Sequence, residues 1–407
     1  MTVIVIGGGA AGMIAAGTAA KYADKVIIIE KNNLFGKKLL ITGKGRCNIT
    51  NAADLEDMIQ MYPTNGKFLY SALYSFTNQD IVDLIESYGV KTKVERGGRV
   101  FPVSDRSQDV VKALKKYALQ DNVKIFFTHA RHIMVENGRV VGVRTDWGVT
   151  KADKVIICTG GQSYPQTGST GDGYKFAKKM GHEIIPLRPS LVPIETEETW
   201  VKELMGLSLR NVSIRAYNSK NRCVYEDFGE MLFTHFGISG PIVLSMSTHL
   251  KPDEKYRISI DLKPGMNDAI IDARLIRDFK IRGKKHFINS LDELLPKQIK
   301  PVVVRLSGII EHKAACELTR EERQRLIEVL KNFTLTFKKF RPLKEAIVTS
   351  GGVSVSDINP STMESKKVKG VYFAGEVIDV DGYTGGYNLQ AAFSTGYLAG
   401  LNAAKEE

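Results

Sequence analysis

The stretch Val3-Ile4-Val5-Ile6-Gly7-Gly8-Gly9-Ala10-Ala11-Gly12 decides the fold of this chain. It begins as an apolar run typical of a buried strand and turns directly into glycines and alanines that open a helix. A second apolar run, from Val26 to Ile29, ends at Glu30. A strand, a glycine-rich turn, a helix and a second strand ending in an acid form the βαβ pattern of a dinucleotide-binding site.

The small residues of this pattern have separate physical roles. Gly7 allows the tight turn, Gly9 lets a pyrophosphate approach the backbone, and Gly12 lets the helix pack closely on the strand. The phosphates would lie beside Ala10-Ala11, where unpaired N–H groups and the helix dipole favour anions. Glu30 would accept hydrogen bonds from ribose hydroxyls.

The composition is that of an ordinary globular protein, since 43% of the 407 residues are hydrophobic and 25% are charged. This length predicts two or three domains. No apolar stretch approaches the ~20 residues of a membrane span, and no basic segment precedes the first strand, so we expect neither a membrane segment nor a signal peptide. The cysteines are scattered without metal-ligand spacing, which predicts reduced thiols, no metal and a cytoplasmic location.

The net charge of +12 is concentrated in one part of the chain. The segment from Lys251 to Glu345 contains 22 Lys and Arg against 14 Asp and Glu. Such a segment could meet nucleic acid, an anionic membrane or an acidic substrate. Because its basic residues alternate with acids and no RNA-binding motif accompanies them, we interpret it as a solvated helical surface. Neither nucleic acid nor a membrane is therefore an expected partner.

The α/β character of the chain is interrupted in its middle. Lys154 to Gly161 is predicted as a buried parallel strand ending in glycines, and the proline-marked stretch from Ile185 to Pro193 as a crossing between domains. The segment 208–225 is then predicted as β structure and 268–330 as mostly helical. From Glu345 the α/β pattern resumes, so the middle is inserted into an outer domain.

Several further motifs carry a resemblance to a known family. They are Thr42 to Asn51, Thr159-Gly160-Gly161, Phe233 to Pro241, Gly351-Gly352-Val353, Val371 to Glu376 and Gly382 to Gln390. In this order they resemble the BaiN-like, or aminoacetone-oxidase-like, family of NAD(P)/FAD-dependent oxidoreductases in the glutathione-reductase-like FAD superfamily. The resemblance spans nearly the whole chain.

The resemblance implies an α/β fold in which a Rossmann-type FAD-binding domain is interrupted by a β-barrel-like domain that carries a helical insert. The implied boundaries are residues 1–188 and 345–407 for the FAD-binding domain, 189–265 and 332–344 for the barrel-like domain, and 266–331 for the helical insert.

FAD is the implied cofactor, and a helix N-terminus opening at Gly386 would face the edge of the flavin that gains negative charge on reduction. Together the motifs and the resemblance predict that FAD is bound by Gly7, Gly9, Ala10, Ala11, Gly12, Glu30, Lys31, Lys38, Gly45, Arg46, Cys47, Asn48, Thr159, Gly160, Gly161, Gly375, Glu376, Gly386, Tyr387, Asn388 and Leu389.

Two residues are candidates for a catalytic role. Cys47 stands alone in the loop where related disulfide reductases hold a cysteine pair, so a dithiol relay is not expected, and packing is the alternative role. His235 lies between Thr234 and Phe236 and could act as an acid or base near neutral pH, with a structural histidine as the alternative.

The expected activity is hydride transfer through flavin N5 to or from a small organic substrate, with NAD(P)H-dependent reduction of an enone as one form. No second G-x-G-x-x-G follows a strand, so NADH or NADPH, if used, would dock transiently. The alternative is a flavoprotein that binds or modifies RNA through its basic insert.

Overall fold

The computed structural model describes residues 1–281, 283 and 285–405. The chain divides into two compact units. The first unit combines Met1–Ser190 with Pro342–Glu407, and the second is the continuous segment Leu191–Arg341. Each unit has its own buried apolar core.

The described residues form the strands β1 (Thr2–Ile6), β2 (Lys25–Glu30), β3 (Thr50–Asn51), β4 (Thr92–Glu95), β5 (Arg99–Pro102), β6 (Val123–Phe127), β7 (Ala130–Glu136), β8 (Arg139–Thr145), β9 (Gly148–Lys151), β10 (Lys154–Ile157), β11 (Ile184–Ser190), β12 (Ile194–Thr196), β13 (Ser208–Asn218), β14 (Cys223–Phe233), β15 (Gly237–Ser239), β16 (Tyr256–Asp261), β17 (Phe333–Phe340), β18 (Val348–Val353) and β19 (Val371–Phe373).

The α-helices are α1 (Ala10–Ala19), α2 (Leu55–Gln60), α3 (Tyr70–Ser75), α4 (Asn78–Ser87), α5 (Ser107–Ala118), α6 (Asp172–Lys179), α7 (Pro241–Ser247), α8 (Asp268–Ile281), α9 (Phe287–Ser290), α10 (Lys300–Ser307), α11 (Arg320–Lys331) and α12 (Tyr387–Ala404). Short 3-10 helices occupy Leu39–Gly45, Gly66–Leu69, Pro165–Thr167, Thr199–Leu204, Ala315–Glu317, Leu343–Glu345 and Val355–Asp357.

The first unit is built on a five-stranded parallel sheet in the order β19-β10-β1-β2-β6. Its central strand β1 is paired with β10 on one side and with β2 on the other, and the apolar side chains of these strands are buried. Burial on both faces explains why the sequence of β1 is a continuous apolar run. All five strands end at the same edge of the sheet, where open α/β sheets bind ligands.

Helices α1 and α12 pack against each other at backbone distance. A Cβ atom built on Gly396 would lie 2.4 Å from the carbonyl oxygen of Ala11, and one built on Gly400 would lie 2.5 Å from that of Ala15. No larger residue fits at these two positions without moving the helices, since real Cβ atoms do not approach a backbone oxygen so closely. The two glycines therefore fix how α12 lies on α1.

The second unit contains a closed six-stranded barrel in the order β12-β15-β14-β13-β16-β17. Helices α8 to α11 lie between β16 and β17 in the chain. The predicted fold class, a Rossmann-type domain interrupted by a barrel with a helical insert, is confirmed.

The proline-marked stretch from Ile185 to Pro193 contains the predicted crossing between the units, which falls after Ser190. Up to Ser190 the stretch belongs to strand β11, which pairs antiparallel with β18. The register shifts between Ile185 and Arg188, so Pro186 lies at an irregularity where a strand tolerates a residue without an N–H group. The chain enters the second unit at Leu191.

The described part of the chain has neither a membrane-spanning helix nor a metal-binding cluster of side chains. None of its helices is long and apolar enough to cross a membrane. Its His, Cys, Asp and Glu side chains also form no group of three or more that could hold a metal ion.

We expect Gly396→Ala to lower the free energy of unfolding by about 1–3 kcal/mol, because the added methyl group must push α12 away from α1. Denaturant unfolding measures this change. Gly265→Ala is the control, since a Cβ atom at Gly265 meets nothing within 4 Å, and it should change stability by less than about 0.5 kcal/mol. Equal stability of the two variants would contradict close packing of the helices.

Candidate functional site

A cavity of about 380 Å³ lies at the carboxyl edge of the parallel sheet in the first unit. All five strands contribute to its wall, either by their last residues or by the residues that follow them. The predicted cofactor-binding residues that line it are Gly7, Gly9, Ala10, Ala11, Glu30, Lys31, Lys38, Asn48, Thr159, Gly160, Gly375, Glu376, Gly386, Asn388 and Leu389.

The glycine-rich turn has the geometry of a phosphate-binding loop. Gly7 has φ +104°, and a Cβ atom on Gly12 would lie 1.8 Å from the Gly7 carbonyl oxygen. By contrast, a Cβ atom on Gly9 would meet nothing within 4 Å, so Gly9 borders open space in the cavity wall. Helix α1 begins directly after Gly9, and the N–H groups of its first turn have no partner within the helix. They are available to an anion in the cavity.

The Glu30 carboxylate supports this turn from the next strand. Its Oε2 accepts a hydrogen bond from the backbone N–H of Gly8 at 2.7 Å. Its Oε1 accepts hydrogen bonds from the backbone N–H and the side-chain amide of Asn32, at 2.7 and 2.9 Å. Glu30 is 6% exposed and lines the cavity, so the same carboxylate that is placed to meet a ribose also holds the glycine loop.

A second carboxylate, Glu376, joins three segments of the first unit. Its Oε2 accepts a hydrogen bond from Lys38 Nζ at 2.7 Å, and its Oε1 accepts from the backbone N–H of Thr349 at 2.9 Å. Ser163 Oγ lies 3.0 Å from Oε1 and also accepts a hydrogen bond from Lys38. Charge-assisted bonds of this kind are the stronger ones in proteins, so this wall of the cavity is well fixed.

Helix α12 brings a second helix N-terminus to the cavity. Gly386, with φ +104°, precedes its first residue, and both Gly386 and Leu389 line the cavity. The Asn388 side chain accepts a hydrogen bond from the N–H of Gly382 and donates to its carbonyl, closing the preceding loop. The N-termini of α1 and α12 therefore line the same cavity.

Three buried polar atoms in the cavity wall have no hydrogen-bond partner among the described residues: Asn48 Oδ1, Thr128 Oγ1 and Thr159 Oγ1. Buried polar atoms are almost always paired, so these atoms indicate that a polar ligand completes the site. Together with the open space at Gly9 and the two helix N-termini, the residues present fit a dinucleotide cofactor such as FAD.

Six predicted residues lie outside the cavity wall: Gly12, Gly45, Arg46, Cys47, Gly161 and Tyr387. Gly12 packs on Gly7, as described above. Gly161 allows Glu376 to approach, since a Cβ atom there would lie 2.7 Å from Glu376 Oε1. Tyr387 packs edge-on against Tyr62, with ring centroids 6.3 Å apart. Gly12, Gly161 and Tyr387 therefore contribute to packing beside the cavity and do not line it.

Arg46, predicted to contact phosphate, is instead engaged with protein groups. Its guanidinium donates hydrogen bonds to Glu95 and Asp105 and lies 4.1 Å from the centroid of the Phe101 ring. The hydrogen bond from Arg46 lowers the pKa of Glu95, which keeps this pair ionised. Its donors are therefore used by two carboxylates from distant parts of the sequence.

The two catalytic candidates are placed differently. Cys47 is fully buried, and this burial raises the pKa of its thiol to about 12. A thiol with so high a pKa is not a nucleophile near neutral pH. His235 is an exposed residue of the second unit, in the loop between β14 and β15, and its ring packs edge-on against Phe236 at 4.9 Å.

Several segments of the wall lie outside the predicted set, including Thr167 to Ser169, Ile347-Val348 and Tyr383 to Gly385. A further one is Thr128 to Ala130. It follows β6, which pairs with β2. Residues that follow the carboxyl ends of parallel strands line ligand sites, so the position of this segment after a strand is a signal in the sequence. That signal is insufficient by itself, because the pairing of β6 with β2 cannot be read from either strand alone.

The chain is similar to known proteins over nearly its whole length. The chain is 32% identical to the 3-dehydro-bile acid delta(4,6)-reductase of Clostridium scindens over 407 residues, covering 98% of each chain. It is also 32% identical to the ribosomal RNA dihydrouridine synthase of Haemophilus influenzae over 413 residues, covering 99% of this chain and 98% of the relative.

Solved structures share the fold at low sequence identity. The 3-ketosteroid-delta4-(5alpha)-dehydrogenase of Rhodococcus jostii matches with a TM-score of 0.52 and 14% identity, covering 99% of this chain and 96% of its own. The 3-ketosteroid delta1-dehydrogenase of Sterolibacterium denitrificans matches with a TM-score of 0.50 and 13% identity, covering 99% of both chains.

The model of the HI0933-like protein Rossmann domain matches residues 1–402. This match and the two relatives confirm the BaiN-like resemblance. The chain therefore belongs to the HI0933-like family of FAD-binding Rossmann proteins.

Proposed function

We propose that this protein is an FAD-dependent reductase of carbon–carbon double bonds conjugated to a carbonyl group. One observation carries the proposal: two relatives of equal identity are named for reactions of this kind. A 3-dehydro bile acid with Δ4,6 double bonds is a conjugated ketone. Uridine likewise contains a double bond conjugated to a carbonyl, which dihydrouridine lacks. The two substrates differ greatly in size, but in both the reduced bond is a carbon–carbon double bond conjugated to a carbonyl group.

In this proposal the cavity of the first unit holds FAD. The N–H groups after Gly9 bind the pyrophosphate, and Glu30 together with Thr128 meets the adenosine. The start of α12 at Gly386 meets the flavin ring. When bound and reduced by the nicotinamide proposed below, the flavin would supply a hydride to the carbon β to the carbonyl, while a proton goes to the neighbouring carbon.

The residues of the chain contribute binding and electrostatics to this reaction. The positive end of the α12 dipole favours negative charge on a ligand edge beside Gly386. The Lys38–Glu376 pair and the Glu30 hydrogen bonds hold the residues of the site in place. We propose NADH or NADPH as the reductant, docking transiently because the sequence has a single dinucleotide-binding motif.

The leading substrate class is a small conjugated ketone. A second candidate is a uracil base in RNA. Its support is that the ribosomal RNA dihydrouridine synthases of Haemophilus influenzae and Escherichia coli are each 32% identical to this chain. Both substrates accept hydride at the β carbon, so one flavin chemistry serves either. They differ in what the protein surface must bind.

The test is to reduce the purified holoprotein anaerobically with NADPH or NADH and then add an oxidant. We expect a steroid 4-en-3-one acid or unmodified ribosomal RNA transcript to restore the oxidised flavin spectrum and to gain two hydrogens by mass spectrometry. The saturated ketone is the matched control and should do neither. Reduced flavin that persists with every conjugated substrate would overturn the proposal.

A second prediction concerns the pyrophosphate position. Gly9→Val should fold, because the side chain enters open space, and should weaken FAD binding at least tenfold, or about 1.4 kcal/mol, by filling that space. Flavin titration of the apoprotein measures the affinity, and circular dichroism checks the fold. Gly265→Val, at an equally open position, is the control. Unchanged FAD affinity in Gly9→Val would remove the phosphates from this turn.

A third prediction concerns the buried thiol. Because burial raises the pKa of Cys47 to about 12, iodoacetamide should label the exposed Cys223 and Cys316 in the folded protein and leave Cys47 unlabelled. Cys47→Ala should keep its flavin and its turnover within error. Peptide mass spectrometry locates the label, and labelling of Cys47 with loss of turnover would show that the thiol is catalytic.

A further inference from the structure

A second cavity of the first unit is an open groove of about 830 Å³. It lies between the segment that joins α4 to β4, the two residues that follow β5, and one side of α5. We call it the lysine groove. It is lined by Tyr88, Gly89, Val90, Lys91, Val103, Ser104, Asp109, Lys112, Ala113, Lys115, Lys116 and Leu119. No role in the reaction proposed above uses these residues.

The lining of the lysine groove carries more lysines than carboxylates. Four lysines line it against one carboxylate, that of Asp109. Lys112 and Lys116 lie one turn apart on α5, and within the described part of the chain neither forms an ion pair or a hydrogen bond. Hydrogen bonds from Thr92 and the nearby charge of Lys91 lower the pKa of Glu86, so this carboxylate stays ionised and offsets Lys91, which leaves the lysines of α5 as the source of positive charge. A groove of this kind attracts anions.

The basic segment that the sequence analysis singled out differs in this respect. In the second unit, Lys313 pairs with Glu322 at 2.8 Å, Arg323 with Asp272 at 2.8 Å and Arg305 with Glu203 at 2.9 Å. Asp272 and Glu322 are already counted among the 14 acids of the segment, so these pairs engage its basic side chains without lowering its net charge. The largest excess of basic residues in the sequence and the unpaired lysines Lys112 and Lys116 are therefore in different units.

The apolar lining indicates what kind of anion fits. Tyr88 is 37% exposed and Val103 is 53% exposed, so an aromatic ring and an apolar floor accompany the lysines. Lysine is a point charge suited to phosphate, and an exposed aromatic ring stacks on a nucleobase. A membrane surface would need apolar side chains that project outward, whereas here they line a concave groove.

The lysine groove also lies close to the dinucleotide site. Lys115 Nζ is 5.9 Å from the centroid of the Phe35 ring. That ring lies against the glycine loop, since a Cβ atom built on Gly8 would be 2.4 Å from Phe35 Cδ1. One aromatic side chain therefore separates α5 from the turn that would bind the cofactor pyrophosphate.

We propose that the lysine groove binds the phosphate backbone of a single-stranded RNA segment. The proposal rests on the second candidate of the proposed function, a uracil base in RNA as substrate. It assigns RNA binding to the first unit and not to the basic insert of the second. The contacts are to phosphates and one base face, so binding is independent of sequence at this groove.

The test compares two double variants of equal charge. Lys112→Gln/Lys116→Gln removes two unpaired lysines of the groove, and Lys280→Gln/Lys297→Gln removes two exposed lysines of the second unit. Fluorescence anisotropy with a labelled single-stranded oligouridylate gives the affinity over a range of salt concentrations. Because each phosphate contact contributes roughly 0.7 to the log–log salt slope, the groove variant should lose about 1.4 from it.

The control variant should keep the slope of the unchanged protein. Both variants should retain flavin and reduce a conjugated ketone at the unchanged rate. Equal slopes for the groove variant and the unchanged protein would overturn the proposal. So would RNA binding lost only in the control variant, or lysine-dependent binding to phosphatidylserine vesicles with none to RNA.

Failure of the groove and failure of the proposed function give different results. If RNA reoxidises the flavin but the groove variant binds it normally, the groove proposal fails and the reductase proposal stands. If neither ketone nor RNA reoxidises the flavin, but the salt dependence of RNA binding is reduced in the groove variant, the reductase proposal fails and the groove proposal stands.

Discussion

The packing of α12 on α1 is the contact on which the site depends. These helices come from opposite ends of the chain, and Gly396 and Gly400 let them touch at backbone distance. Because a helix is rigid over several turns, fixing this contact also fixes where both helices begin. The N-termini of α1 and α12 consequently line one cavity, and each presents unpaired N–H groups and a positive dipole end to it. A buried network, in which Gln390 bonds to Thr50 and to the Phe76 carbonyl, fixes the start of α12 further.

The two acidic residues of the cavity wall, Glu30 and Glu376, accept hydrogen bonds from other groups of the protein. Glu30 holds the glycine loop through the N–H of Gly8, and Glu376 holds Lys38 and the N–H of Thr349. A carboxylate that accepts backbone N–H groups orders the loop that carries them, so the cavity wall is formed by the chain alone. The unpaired atoms of Asn48, Thr128 and Thr159 remain for a ligand. The site is thus rigid where it shapes the cavity and unsatisfied where it would meet a cofactor.

The charge of the protein shows why net charge and binding surface are different quantities. The sequence places its largest excess of Lys and Arg between Lys251 and Glu345, yet the structure pairs many of those groups with acids of the same unit. The lysine groove contains only four lysines, and among the described residues Lys112 and Lys116 form no ion pair. An unpaired lysine contributes more to the field at a distance than one held beside a carboxylate, so even a small cluster of this kind attracts anions.

The sequence by itself determined the glycine turn, the acids that end β2 and follow β19, the insertion of the middle segment and the family. Gly7 and Gly12 could be assigned because their roles depend on backbone geometry within a few residues. The partners of Arg46, the wall segment at Thr128 and the strand at Ile184–Ser190 were decided only by the tertiary structure. Each of these depends on residues distant in the chain that fold to the same place. Spacing along one segment carries no information about such pairings, so that segment alone could not supply them.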